Sequence, residues 1–262
     1  MKTYNKFVDY YDEIIRWNWY SLDDEVFFIN ELIENNLSPL LTNEGQGEVS
    51  ILEFACGTWT IAKELEKKWY NIFWVDLSEQ MIERCPNNKK FIVWDMTSID
   101  LQKQFDVVLC NYNSVCHLNS WEDWQKFLQN SYKHLKKWWI LIFDILTIFE
   151  FENITRDFRW FFNIAWDTIC LEMFKEDNPS PFQAAPFNTK GSNMYKWNIK
   201  MFINNWNNNF ELIEEEIKEI SFPVKDIKKE LENTWFKIKH LEDFHFGEVN
   251  SESERVYFVV EK

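Results

Sequence analysis

The stretch ILEFACGTWTIAKELEKKWYNIFWVDLSEQM, residues 51–81, decides the fold. An apolar run, Val49 to Phe54, ends in small residues and opens into a helical pattern, Ile61 to Lys68. A second apolar run, Asn71 to Val75, ends in Asp76 and leads to a helix starting near Ser78. Strand, turn, helix and strand in this order make a βαβ unit, which requires a parallel sheet. In such sheets ligands bind at the carboxyl ends of the strands. Small residues at Ala55, Cys56, Gly57 and Thr58 let backbone N–H groups approach a ligand. A carboxylate at Asp76 is placed to accept both hydroxyls of a ribose.

The pattern continues outward from this unit. Residues 5–38 read as helical, with Phe7, Tyr10, Tyr11, Ile14 and Ile15 at helical spacing. Residues 37–48, with Pro39, Gly45 and Gly47, read as a loop. Phe91 to Val93 is a third strand, followed by Asp95 and Met96, placed for a base edge and face. Phe105 to Cys110 is a fourth strand, followed by Asn111, Tyr112 and Asn113. Trp121 to Lys137 is an amphipathic helix and Ile140 to Asp144 a fifth strand. Beyond residue 150, Thr168 to Phe174, Met194 to Asn204 and Phe210 to Phe222 alternate like antiparallel strands. A helix (Val224 to Thr234) and two strands (Phe236 to Leu241, Arg255 to Val260) close the chain.

The 262 residues are 46% hydrophobic, enough for one large globular unit. A net charge of −15 makes nucleic acid and anionic membranes poor partners. No signal peptide or spanning run is visible. Five cysteines at irregular spacing suggest neither a disulfide framework nor a metal site. The expectation is a cytoplasmic protein without a bound metal.

At the strand ends the chain resembles the class I S-adenosylmethionine-dependent methyltransferases. The likeness rests on Glu53, Ala55, Gly57 and the place of Trp59; on Val75-Asp76-Leu77-Ser78 and Met81; on Asp95-Met96; and on His134-Leu135-Lys136. It extends through Phe222-Pro223-Val224 and Glu254-Arg255-Val256-Tyr257-Phe258. The resemblance implies an α/β, Rossmann-like, mostly parallel seven-stranded sheet with helices on both faces. An antiparallel β insertion would act as a lid. The core would be residues 46–150 and 223–262, and the cap 1–45 and 151–222. S-adenosyl-L-methionine would be the cofactor. Glu53, Ala55, Cys56, Gly57, Thr58 and Trp59 would surround its methionine part, and Asp76 would hold its ribose. Leu77, Met81, Asp95 and Met96 would frame its adenine, and Asn111 and Tyr112 the transferred methyl. His117 and Tyr11 are the candidate catalytic residues, and Tyr4 or Tyr10 is a further candidate to close over the site. The acceptor would be an oxygen or nitrogen of a small molecule. A non-catalytic binding protein is the alternative if the Trp59 indole fills cofactor space. Aminopropyl transfer is a third reading, without specific support. Taken singly, Glu53 reads better as a salt-bridge partner, Asp76 as a helix cap, Asp95 as a loop acid and His117 as a packing or hydrogen-bonding residue. Taken together on consecutive strands, the three acids favour the functional reading.

One feature of composition is abnormal. There are 15 Trp and only 5 Gly, whereas ordinary usage gives roughly 18 Gly in a chain this long. Trp69, Trp138, Trp139 and Trp235 follow helix ends, where glycine is usual. Trp59, Trp74 and Trp94 flank the cofactor turns. Some bacteria read the UGA codon as glycine where other translation tables give tryptophan. Under that reading Trp17, Trp19, Trp59, Trp69, Trp74, Trp94, Trp138, Trp139 and Trp235 are glycine in the cell, with Trp160, Trp166 and Trp206 as further candidates. Trp121, Trp124 and Trp197 fit as tryptophan. The alternative is a genuinely Trp-rich chain.

Overall fold

A computed structural model describes residues 4–16, 22–37, 49–68, 70–86, 90–157, 159–176, 194–206, 209–244 and 247–262. Trp17, Trp19, Trp69 and nearly all of the expected 37–48 loop lie outside these residues.

A seven-stranded sheet forms the centre. Its strands are β1 (Ser50–Phe54), β2 (Asn71–Asp76), β3 (Phe91–Val93), β4 (Phe105–Cys110), β5 (Leu135–Leu146), β10 (Lys237–Asp243) and β11 (Arg255–Glu261). Their order is β10-β11-β5-β4-β1-β2-β3. All neighbours are parallel except β11, which runs antiparallel to β5 and β10. The chain moves outward from β1 through β3, then returns to the other side at β4. The resulting switch point, between β1 and β4, is where such sheets open a crevice.

Burial on both faces explains the apolar strands. Along β4, Val108 and Cys110 join one core and Val107 and Leu109 the other. The first core takes Trp124, Phe127 and Leu128 from α5 (Trp121–His134) and Ile227 and Leu231 from α7 (Val224–Asn233). The second takes Phe28, Ile29, Leu32 and Ile33 from α2 (Leu22–Leu37) and Ala62 and Leu65 from α3 (Ala62–Glu66).

A second sheet is wholly antiparallel, in the order β6-β7-β8-β9. Its strands are β6 (Arg159–Ile164), β7 (Asp167–Lys175), β8 (Met194–Asn204) and β9 (Phe210–Ile220). Helix α1 (Val8–Arg16) packs Phe7, Tyr10 and Ile14 on Ile169, Leu171, Ile199, Met201 and Ile217 of this sheet. Glu215 of β9 accepts the backbone N–H groups of Asn5 (3.0 Å), Lys6 (2.5 Å) and Phe7 (3.0 Å). These N–H groups lie just before the first turn of α1. The N-terminal segment is thereby attached to the second sheet.

The reading of the elements needs one correction and one addition. Helix α5 stops at His134, not Lys137, because Leu135 already pairs with Phe105 in the sheet. The helical reading of residues 5–38 corresponds to two helices, α1 and α2. Helix α6 (Ile148–Asp157) and β6 were not anticipated. The burial of β6 alternates, but its residues Arg159-Trp160-Phe161-Phe162-Asn163-Ile164 do not alternate apolar with polar.

Four tryptophans have the backbone expected of glycine, Trp138 and Trp235 of the expected helix-end positions among them, whereas Trp74, Trp94 and Trp139 do not. Trp59, Trp138, Trp206 and Trp235 have φ of 70°, 72°, 64° and 63°, a conformation costing an L-residue about 1–2 kcal/mol. At the end of α7, Trp235 N–H donates to Glu232 O (3.0 Å) and Phe236 N–H to Leu231 O (2.9 Å). That is a Schellman motif with Trp235 at the glycine position. Trp74 is a strand residue stacked on Phe91, and Trp124 is fully buried.

A buried ion network joins α2 to the sheet. Arg255 Nε donates to Asp144 Oδ2 (2.6 Å) and Nη1 to Glu25 Oε2 (2.8 Å). Tyr257 OH donates to Glu25 Oε1. Arg255→Ala leaves two buried carboxylates without their cation, so it should cost about 3–5 kcal/mol in urea unfolding. Lys126→Ala removes only exposed pairs with Glu122 and Asp123, and should leave the urea midpoint unchanged.

Candidate cofactor and acceptor site

A cavity of about 1200 Å³ opens at the carboxyl ends of β1, β2 and β4, and continues beneath α1 and the second sheet. Its cofactor end is organised by Asp76. The Oδ2 atom accepts the Gly57 N–H (2.8 Å), and Oδ1 accepts the Ser78 N–H (2.7 Å). One carboxylate therefore shapes the loops after both β1 and β2. Burial raises its pKa, while the N–H groups of Ser78 and Gly57 and the charge of His117 pull it down. Capping of α4 (Glu79–Ile82) falls to Ser78, whose Oγ accepts the Met81 N–H (3.2 Å). Ala55 and Gly57 both have positive φ, 54° and 57°. At Gly57 the backbone angle is the constraint, since an added Cβ would meet only the Tyr11 ring, at 4.0 Å.

The sequence-derived residues divide into two groups. Ala55, Gly57, Asp76, Leu77, Met81, Asp95, Met96, Tyr112, His117 and Tyr11 line the cavity. Glu53, Cys56, Thr58, Trp59 and Asn111 do not line it. Thr58 Oγ1 donates to Asp12 of α1. The Trp59 indole meets Trp74 and Phe91 edge-on, at 6.4 and 6.3 Å, within the core beneath β2. It fills core space rather than cofactor space.

The chemistry of the cofactor end suits S-adenosylmethionine. Leu77 is 67% exposed, an unusual cost for a leucine that an aromatic ring would remove. Met96 lies beside it in the lining. Asp95 Oδ1 accepts both the N–H and the hydroxyl of Thr97 (2.7 Å each), which holds the carboxylate at the rim. Behind the loop, Glu53 Oε2 and both amide atoms of Asn111 are buried without a hydrogen-bond partner. Buried polar atoms of this kind are expensive unless a ligand or water satisfies them. Burial and the neighbouring Asp76 push the Glu53 carboxyl up to about 8.

The acceptor end is built by distant segments. Tyr4 OH lies 3.3 Å from His117 Nε2, in the 3-10 turn Ser114–His117 after β4. Glu219 Oε1 of β9 lies 3.7 Å from the same nitrogen. Glu219 also accepts from Asn113 Nδ2 (2.6 Å) and Trp197 Nε1 (2.5 Å). Burial, reinforced by Tyr112 and Asp76, raises the Tyr11 phenol well above its ordinary range. Tyr10 turns away and donates to Asp167 (2.7 Å). Sequence reading missed Glu219, Asn113 and Trp197 as site residues. Glu219 has one weak signal, an acid beside the apolar end of a strand.

Comparison with known proteins agrees with this geometry. Residues 51–138 match the methyltransferase domain family. The chain is 25% identical over 221 residues to the putative methyltransferase YqeM of Bacillus subtilis (strain 168), covering 81% of this chain and 83% of that one. It is 32% identical over 147 residues to the glycine/sarcosine N-methyltransferase of Aphanothece halophytica, covering 53% of this chain and 51% of that one. A crystal structure of an S-adenosylmethionine-dependent methyltransferase from Clostridium acetobutylicum ATCC 824 superposes with a TM-score of 0.78, at 22% identity, over 98% of each chain.

Glu53→Gln tests the buried carboxyl. A group whose pKa rises from 4.5 to about 8 on folding resists ionisation, so stability is lost as pH climbs between those values. The stability advantage of Glu53→Gln over the parent should widen from pH 5 to pH 8 and level off above it, read by thermal unfolding.

Proposed function

We propose that the chain is an S-adenosylmethionine-dependent methyltransferase and that it methylates a nitrogen of a small molecule. The observation that carries this reading is the single cavity running from Asp76 to Glu219 under α1 and the second sheet. A roofed chamber of that size takes a cofactor and a metabolite, not a polymer. Nitrogen is favoured over oxygen because the Aphanothece halophytica relative is a glycine/sarcosine N-methyltransferase.

When bound, the cofactor supplies a methyl group already activated on a sulfonium sulfur. The chain's own task is then to bind, orient and keep water out. The Ala55 and Gly57 backbone takes the methionine end, with the buried Glu53 carboxyl behind the loop. Asp76 takes the ribose, and Leu77 and Met96 sandwich the base with Asp95 at its edge. Tyr112 and Tyr11 crowd the junction between cofactor and acceptor. Tyr112 is fixed by the Arg255 guanidinium, 4.8 Å from its ring centre. Residues 1–45 and 151–222 act as the cap over a core of 46–150 and 223–262. All five cysteines are free and buried, which supports a reducing compartment, the cytoplasm. Among the described residues no helix is long and apolar enough to cross a membrane.

Calorimetric titration tests the cofactor assignment. The protein should bind S-adenosylmethionine, and Asp76→Ala should weaken it by about 10- to 100-fold, the worth of hydrogen bonds to a charged group. No heat with the parent protein overturns the reading.

A further inference from the structure

Resting on that reading, we propose that His117 is the base that removes a proton from an ammonium acceptor, with Glu219 as its positioning residue. Three segments far apart in sequence meet here. Tyr4 stands before α1, His117 follows β4, and Glu219 lies on β9. Nothing in the packing of the core requires this meeting, since His117 lines the cavity and is about one-third exposed.

The electrostatics select a cation. The charged groups facing His117 are Glu219 from β9 and Asp76 from β2, with the phenols of Tyr4 and Tyr11 from the N-terminal segment. Arg255 and Lys218 also line the cavity, but Arg255 is paired with Glu25 and Asp144, and Lys218 with Glu176 and Glu216. The Glu219 carboxylate is 4% exposed and held by Asn113 and Trp197. It is therefore a fixed negative charge beside the imidazole. An amine enters at neutral pH as its ammonium form, whose nitrogen has no lone pair to accept a methyl group. In the proposed step, one ammonium N–H bond breaks and its electron pair remains on nitrogen. The proton passes to an imidazole nitrogen of His117. The resulting imidazolium lies against Glu219, and the freed lone pair faces the cofactor end.

The test uses the full-length protein with S-adenosylmethionine and matched acceptor pairs: glycine with glycolate, sarcosine with methoxyacetate, glucosamine with glucose. Binding is read by calorimetry and turnover by release of S-adenosylhomocysteine. The expected result is turnover of at least one amine and of no hydroxyl or ether partner. His117→Gln should then lower kcat by at least about 100-fold at pH 7, with the loss shrinking as pH approaches the amine's own pKa. Glu219→Gln should shift the pH profile, and both variants should bind the cofactor as the parent does. An unchanged pH profile in His117→Gln, equal turnover of the oxygen analogues, or cofactor binding with no amine bound or turned over would each overturn the proposal. Failure of cofactor binding in the parent would instead overturn the reading on which it rests.

A separate observation carries a second inference. We infer that positions 59, 138, 206 and 235 are glycine in the source organism, their codons being UGA. All four are left-handed. At 138, 206 and 235 the side chains are 57%, 72% and 77% exposed, so little burial offsets the strain. Trp124 and Trp197 differ, being buried or hydrogen-bonded. Single Trp→Gly changes at 138, 206 and 235 should raise the melting temperature, while Trp124→Gly should lower it sharply. Peptides from the source organism should carry glycine at all four positions. Tryptophan in those peptides, or melting temperatures that fall in the three exposed variants, would overturn it.

Discussion

The carboxylate of Asp76 is the constraint on which the site depends. It stands at the end of β2 and accepts one N–H from each of two loops. A buried carboxylate is costly unless its oxygens are occupied. Here the occupants are the backbone of Gly57 and of Ser78. The cost of burial thus becomes a restraint on loop shape, before any ligand enters. The same charge discourages ionisation of Glu53. Two acids share the cofactor end, and their environments separate their behaviour: Asp76 has donors, and Glu53 Oε2 has none.

Polar contacts tie the N-terminal helices to the two sheets. Glu215 gathers three N–H groups from the start of the chain. Arg255 joins Glu25 of α2 to Asp144 of β5. The Asp144 carboxylate also accepts the Asn113 N–H (2.8 Å), and Asn113 in turn holds Glu219. A chain of hydrogen bonds therefore runs from the deepest ion pair to the acceptor end. Breaking it at Arg255 would be felt at the acceptor site as well as in stability.

Much of the site could be read before the fold was known. Asp76, Asp95 and Tyr112 each follow a strand at its carboxyl end, and all three line the cavity. Turn chemistry and strand period are local, so sequence reports them directly. Trp59 shows the limit. Its position in the loop is local, but the direction of its indole is set by Trp74 and Phe91, which form a recess beneath the sheet. Tyr10 and Tyr11 are adjacent in sequence, yet one bonds Asp167 of the cap and the other faces the cavity. The helical phase of α1 against the second sheet decides between them.

Sequence alone determined the order of strands and acids, because these depend on neighbours a few residues away. Tertiary structure decided which polar groups converge. Tyr4 and His117 are 113 positions apart, and Asn113 and Glu219 are 106. Their meeting is fixed by the packing of α1 and β9 over β4. That packing is a property of buried surfaces, which no short stretch of sequence contains.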